Sequence, residues 1–193
     1  NQEVIDLMQI HWPGNTPDET LRALELLTAM KQEGKILNIG VCNFGVFDLE
    51  ETREYPIISN QLPYNLLWRV VEKEIAPLSK TLGKAVWAYS PLQQGLLTGR
   101  YSKMDDFPEG RQRSRHFSAE RKAANHGGPG MEQETEQAIA EFLELAMEVE
   151  IQPIELSLRY ILSHSCIDTV LAGARTIEQL DELVLSIKGS LDD

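Results

Sequence analysis

Residues 4–13 read V-I-D-L-M-Q-I-H-W-P. An apolar run of strand length ends on His11, and a tight W-P follows it. Apolar residues occupy both alternations of the run, which predicts a strand buried on two faces, as in a parallel sheet. The run begins within a few residues of the start of the chain. The first residue is Asn1 rather than Met, which suits a chain that continues upstream.

Working outward from this strand, the chain reads as repeated strand–helix units. Thr16-Pro17-Asp18-Glu19 opens a helix, with Thr16 as cap, Pro17 at the first helical position and Glu19 completing a capping box. Leu21, Leu24, Leu27 and Met30 follow at helical spacing, and Gly34 is a natural stop. A second strand is predicted over 36–41, and a short helix over 47–53 is closed by Pro56. A third strand covers 57–61, a helix interrupted at Pro77 covers 71–82, and a fourth strand covers 85–89. The pattern then breaks into a Gly-, Ser-, Arg- and Pro-rich stretch over 90–132, a length of loop that is ordinarily functional or disordered. Helices over 134–149 and 154–164, a fifth strand over 167–172 and an amphipathic helix over 177–188 complete the chain.

Five strands alternating with helices predict an α/β fold with a parallel sheet. A doubly wound sheet and a (β/α)8 barrel both fit. No G-x-G-x-x-G follows any strand, which removes the usual phosphate fingerprint of the former. A barrel needs eight units, so a barrel here would be incomplete and its first strand would have an open edge.

Composition narrows the function classes. The chain has 193 residues, is 42% hydrophobic and carries a net charge of −12, which disfavours general nucleic-acid binding. It has no long apolar span and no secretory leader pattern, so no membrane association is expected. Cys42 and Cys166 lie far apart without metal-type spacing, which predicts no metal site and suits a reducing, cytoplasmic compartment.

In a β/α barrel, chemistry sits where strands end and helices begin. Those positions hold His11, Cys42-Asn43, Gln61, Tyr89-Ser90 and Gly173-Ala174-Arg175. Taken singly, each has a structural reading: a packed histidine, amides bonding loop backbone, a core tyrosine, a solvated arginine. Taken together they converge on one end of one sheet, as a site requires.

Five motifs then closely resemble the aldo-keto reductase family. They are I-H-W-P at 10–13, G-K-I-L-N-I-G-V-C-N-F at 34–44, N-Q-L-P-Y-N-L-L at 60–67, A-Y-S-P-L-Q-Q-G-L-L-T-G-R-Y at 88–101 and G-A-R-T-I-E-Q-L at 173–180. They occur in family order and spacing, and the likeness is greatest to the bacterial and channel-β-subunit-like branch. The resemblance implies a TIM barrel binding NADP(H), of which this chain supplies strands four to eight while strands one to three are absent. Residues 1–193 would be the C-terminal portion of one barrel domain, a fragment in that sense, with 90–133 as a cofactor-clasp loop.

The resemblance also implies roles. His11 would hydrogen-bond the carbonyl oxygen of a small-molecule aldehyde or ketone. Asn43 and Gln61 would hold the nicotinamide carboxamide, with Cys42 standing where the family usually has Ser. Tyr89 would stack on the nicotinamide. Ser90, Pro91, Leu92, Gln93, Gln94 and Arg100 match the loop around the pyrophosphate. Between residues 100 and 122, seven basic side chains outnumber four acidic ones, consistent with either a clasp or a solvated, protease-sensitive loop. Gly173 would allow close approach, Arg175 and a helix start capped by Thr176 and Gln179 would bind the adenosine 2′-phosphate, and Gln179 and Glu182 would flank the adenosine. Leu183 stands where the family usually has Asn, on an apolar face with Leu180, Val184 and Ile187.

The family's proton-donating tyrosine and its lysine and aspartate partners all precede strand four and have no match here. The chain alone is therefore expected to reduce nothing at a useful rate, and a non-catalytic dinucleotide-binding module resembling channel β-subunits is the alternative. Trp12 and Trp68 suit either a substrate wall or packing. The tail over 189–193 is short, and exposed barrel edges would favour self-association.

Overall fold

The computed structural model describes residues 3–188, so the tail over 189–193 lies outside the described residues. The chain divides into two compact units. The first runs to Tyr64 and takes in Trp68–Tyr89 and His164–Leu171; the second comprises Asn65–Leu67, Ser90–Ser163 and the chain from Ala172 onward.

The first unit holds a five-stranded parallel sheet of β1 (Ile5–Ile10), β2 (Ile36–Cys42), β3 (Ile57–Pro63), β4 (Ala85–Tyr89) and β5 (Thr169–Leu171). Spatial order equals chain order, β1-β2-β3-β4-β5. A doubly wound sheet reverses its order at a switch point, and this one does not. The arrangement is that of consecutive barrel strands, with β1 at one edge. The two-sided burial predicted for this strand is not found: Ile5 and Met8 are 45% and 41% exposed, because an edge strand has a partner on one side only.

Helix α1 (Pro17–Gln32) begins as its sequence implies: the Thr16 side chain accepts from the Glu19 amide. The reciprocal half of the predicted box differs, because Glu19 Oε2 accepts from the Asn15 amide, one residue before the cap. Leu24 and Leu27 of α1 pack with Ile36, Ile39 and Val41 of β2, Phe44, Ile57 and Leu49 of α2 (Val46–Glu51), forming the core of this unit. Gly40 leaves room for two neighbouring side chains. A Cβ on it would lie 2.7 Å from Ser59 Oγ and 2.9 Å from Gln9 Cγ, at the point where the β2–β3 register shifts.

The helix over 71–82 is not interrupted at Pro77. A 3-10 turn (Val70–Glu72) precedes α3 (Ile75–Thr81), and the break falls at Lys73–Glu74. Pro77 stands in the first turn of α3, where an amide has no intrahelical acceptor to lose.

The second unit contains α4 (Glu132–Glu148), α5 (Pro153–Ser163) and α6 (Ile177–Leu185). The stretch over 90–132 is neither open nor solvated throughout: it has a core of its own. Met104, Phe107 and Phe117 are at most 2% exposed and pack with Leu96 and with Ile139 of α4. Tyr101 meets the Phe107 ring edge-on at 4.9 Å, and Phe107 stacks on Phe117 at 5.4 Å. Arg121 staples the segment down with a bidentate grip on Glu132 at 2.8 and 2.7 Å and a third contact to Asp105 at 2.6 Å.

The apolar face expected on α6 is also corrected. Leu183 is buried at 8% exposure, whereas Leu180, Val184 and Ile187 are about half exposed, at 52%, 48% and 50%. Both cysteines are free thiols. Among the described residues no helix is long and apolar enough to cross a membrane, and no group of three potential metal ligands is present.

Candidate functional site

In the first unit the C-terminal strand ends bring together His11, Cys42, Asn43, Gln61 and Tyr89. Register does part of this work, since Cys42 lies opposite Gln61 and Pro63 opposite Tyr89. Asn43 does the rest. It adopts a left-handed conformation, φ 61°, which asparagine tolerates better than most residues. Its amide N–H donates to the Gln61 carbonyl at 2.9 Å. Its side-chain Nδ2 donates to the His11 carbonyl at 3.0 Å, and its Oδ1 accepts from the Tyr89 hydroxyl at 2.8 Å. One residue thus links the ends of four strands.

The side chains differ in access. The His11 ring is exposed and stacks loosely on Trp12, with centroids 5.8 Å apart and planes at 29°. Gln61 and Tyr89 are half-buried. Burial, and secondarily the neighbouring Cys42, pushes the Tyr89 hydroxyl above its ordinary pKa, so it stays protonated and a donor. Cys42 is buried, burial raises its thiol, and its Sγ receives only a long contact of 3.9 Å from Gln9 Nε2. It presents little to a ligand.

Sequence reasoning passed over Asn60. It is fully buried, and its Nδ2 donates to the Phe44 carbonyl at 2.9 Å while its Oδ1 accepts from the Phe44 amide at 3.3 Å. It therefore fixes the turn that carries Asn43. The available signal was a polar run, Ser59-Asn60-Gln61, inside a strand that starts and ends apolar.

In the second unit, Ser90, Gln93 and Gln94 have φ of 55°, 43° and 59°, followed by Gly95 at 115°. Left-handed conformations at non-glycine residues cost on the order of 1–3 kcal/mol each and gather where a backbone is shaped for a ligand. A buried amide outside the expected set holds this loop. Asn65 Nδ2 contacts the Ser90 carbonyl at 3.0 Å and Gln93 Oε1 at 2.6 Å, and Asn65 Oδ1 accepts from the Leu67 amide at 2.9 Å. Pro91 and Gln93 are buried, Leu92 is half-buried and Gln94 is exposed. Gln93 thus takes part in holding the loop through its bond to Asn65.

The same unit brings Arg100, Gln179 and Glu182 to one cleft of about 740 Å3, lined also by Gln152, Glu155 and Thr176. Arg100 Nη2 pairs with Glu182 Oε2 at 3.0 Å. Thr176 Oγ1 caps α6 by accepting from the Gln179 amide at 3.3 Å, and Gln179 Oε1 accepts from the Arg175 amide at 2.9 Å. As at α1, the reciprocal bond reaches the residue before the cap. The Glu178 carboxyl is held below the usual carboxylate range by its own backbone N–H and then by the Thr176 hydroxyl, so part of the helix end is satisfied internally. Arg175 and Gly173 are exposed, and a Cβ on Gly173 would meet nothing within 4 Å. Packing within the chain does not demand that glycine.

A profile of the aldo/keto reductase family matches residues 1–193. The chain is 29% identical over 198 residues to the NADH-specific methylglyoxal reductase of Escherichia coli (strain K12), an alignment spanning 99% of this chain and 56% of that protein. It is 28% identical to a putative voltage-gated potassium channel subunit beta of Schizosaccharomyces pombe, over 95% of this chain and 54% of that protein. Among solved structures, the glycerol dehydrogenase of Gluconobacter oxydans superposes with a TM-score of 0.75 at 32% identity, covering 98% of this chain and 55% of that one. The chain spans a little over half the length of these relatives. With the sequential parallel sheet, the polar strand ends and a family match along the whole chain, this protein belongs to the aldo/keto reductase family.

Proposed function

We propose that this chain carries most of the cofactor site, and the catalytic-type histidine, for an NADPH-dependent reduction of aldehyde or ketone carbonyls to alcohols in a cytoplasmic setting, without supplying the tyrosine, lysine and aspartate that deliver the proton. The observation that carries the reading is the strand-end group in the first unit, where Asn43 joins Gln61, Tyr89 and the His11 peptide within a chain of this family. The half-buried Tyr89 ring and the Gln61 amide suit a flat, amide-bearing ring. The strained loop over 90–95, braced by Asn65, suits a phosphate-bearing chain, and the exposed Arg175 beside the α6 cap suits a terminal phosphate. Bound reduced nicotinamide would supply a hydride. His11 would donate a ring N–H to the carbonyl oxygen and polarise it.

Tryptophan fluorescence or calorimetry with NADPH and NADH tests this. Saturable binding is expected, with NADPH the tighter. Arg175→Ala should weaken NADPH about tenfold, the loss of one charge-assisted contact, and NADH by less than twofold. An equal loss for both cofactors sinks the 2′-phosphate assignment, and no binding of either sinks the cofactor reading.

A second reading is a dinucleotide-binding regulatory module resembling channel β-subunits. It is favoured by the commitment of the Tyr89 hydroxyl, which already donates to Asn43 Oδ1 at 2.8 Å instead of facing a substrate oxygen. Saturable binding without turnover supports it.

A further inference from the structure

We propose that the Tyr89 hydroxyl is a positioning group for His11, acting through the Asn43 side chain. The proposal deepens the reductase reading by adding a role for a hydroxyl whose ring alone was assigned one.

The β1–β2 ladder ends at the Ile10–Val41 pair, so His11 lies one residue beyond the last paired position of an edge strand. The Asn43 amide extends the tie by that residue, with Nδ2 donating to the His11 carbonyl at 3.0 Å. The orientation of this amide follows from donor–acceptor logic. A backbone carbonyl only accepts, so the atom facing His11 must be the NH2, and the atom facing Tyr89 must be the oxygen. The Tyr89 O–H must then donate, which it does at 2.8 Å. Without the hydroxyl, Oδ1 loses its partner and the amide is free to rotate away from His11. The backbone beneath cannot compensate, because Asn43 is held left-handed by its bond to Gln61 and by the Asn60 brace on Phe44. The hydroxyl therefore selects the rotamer that holds the His11 peptide.

The reporter is Trp12, whose ring lies 5.8 Å from that of His11. The chain is labelled with 5-fluorotryptophan, and the Trp12 19F resonance is assigned by Trp12→Phe. Tyr89→Phe keeps the ring and removes only the donor; it should shift or broaden the Trp12 line. Asn43→Asp keeps an acceptor for Tyr89 and removes the donor to His11; it should change the same line in the same way. Incorporating 4-aminophenylalanine at position 89 restores an N–H donor and should return the line toward its original position, a rescue that loss of packing would not show. A Trp12 line unmoved by Tyr89→Phe, or an amino variant indistinguishable from the Phe variant, overturns the proposal. No dinucleotide is present in the measurement, so failure of cofactor binding and failure of this positioning role are separately visible.

Discussion

Gly40 shows how a single residue positions the site. It sits where β2 shifts register against β3, with Ser59 Oγ and Gln9 Cγ within 3 Å of where a Cβ would stand. Gly40→Ala must displace the Ser59 and Gln9 side chains two residues before Cys42. A destabilisation of about 1–3 kcal/mol is expected from overpacking, read as a lower urea midpoint with unchanged slope. An unchanged midpoint would show that the neighbouring side chains yield without cost. At this scale the sequence made Asn43, Gln61 and Tyr89 legible, because polar residues closing apolar strands are conspicuous. It did not reveal Asn60 or Asn65. Their roles depend on partners up to 28 residues away, Phe44 in one case and Ser90 and Gln93 in the other, and no local pattern encodes that pairing.

Among the elements, the segment over 90–132 departs most from its sequence reading. Its apolar residues Met104, Phe107 and Phe117 have neither helical nor strand period, so composition dominates and the stretch reads as loop. Their burial against Ile139 makes it a packed structure. His116 belongs to that packing. It is 7% exposed, its Nδ1 lies 3.1 Å from Thr135 Oγ1, and burial lowers its pKa from 6.5 to about 4. Because the folded value lies below the unfolded one, the stabilisation is fully present above pH 6.5 and is lost as pH falls toward 4. Integrated over that window, it amounts to about 3 kcal/mol. Glu132, lowered chiefly by its hydrogen bonds to Arg121, adds a further loss below its ordinary value of 4.5. Urea midpoints measured between pH 7 and 4.5 should fall steeply for the native chain and more gently for His116→Gln. Parallel curves would remove His116 as the cause. The regular helices and strands, by contrast, appear within a few residues of their sequence-predicted ends, since Thr16, Gly34 and Thr176 act through bonds within four residues.

For the whole molecule, the question is what a chain matching a little over half of its relatives' length can do. The two tyrosines at strand ends have committed hydroxyls: Tyr64 is fully buried and bonded to Glu72 at 2.6 Å, and Tyr89 is bonded to Asn43 at 2.8 Å; the family's proton-donating tyrosine has no match in the sequence. Purified 193-residue chain is therefore expected to bind dinucleotide without measurable oxidation of NADPH by a simple aldehyde; steady turnover in that assay would refute this. The exposed apolar residues of edge strand β1 are expected to promote self-association, seen as concentration-dependent scattering that Ile5→Lys reduces. By itself the sequence determined the strand–helix alternation, the caps and the polar strand ends, because each is a local or periodic property of side chains. Only the tertiary structure decided that the sheet runs in sequential order, that the long loop is packed and that Asn43 is shared among three neighbouring strand ends. Those depend on which distant residues compete for the same buried space and the same hydrogen-bonding groups.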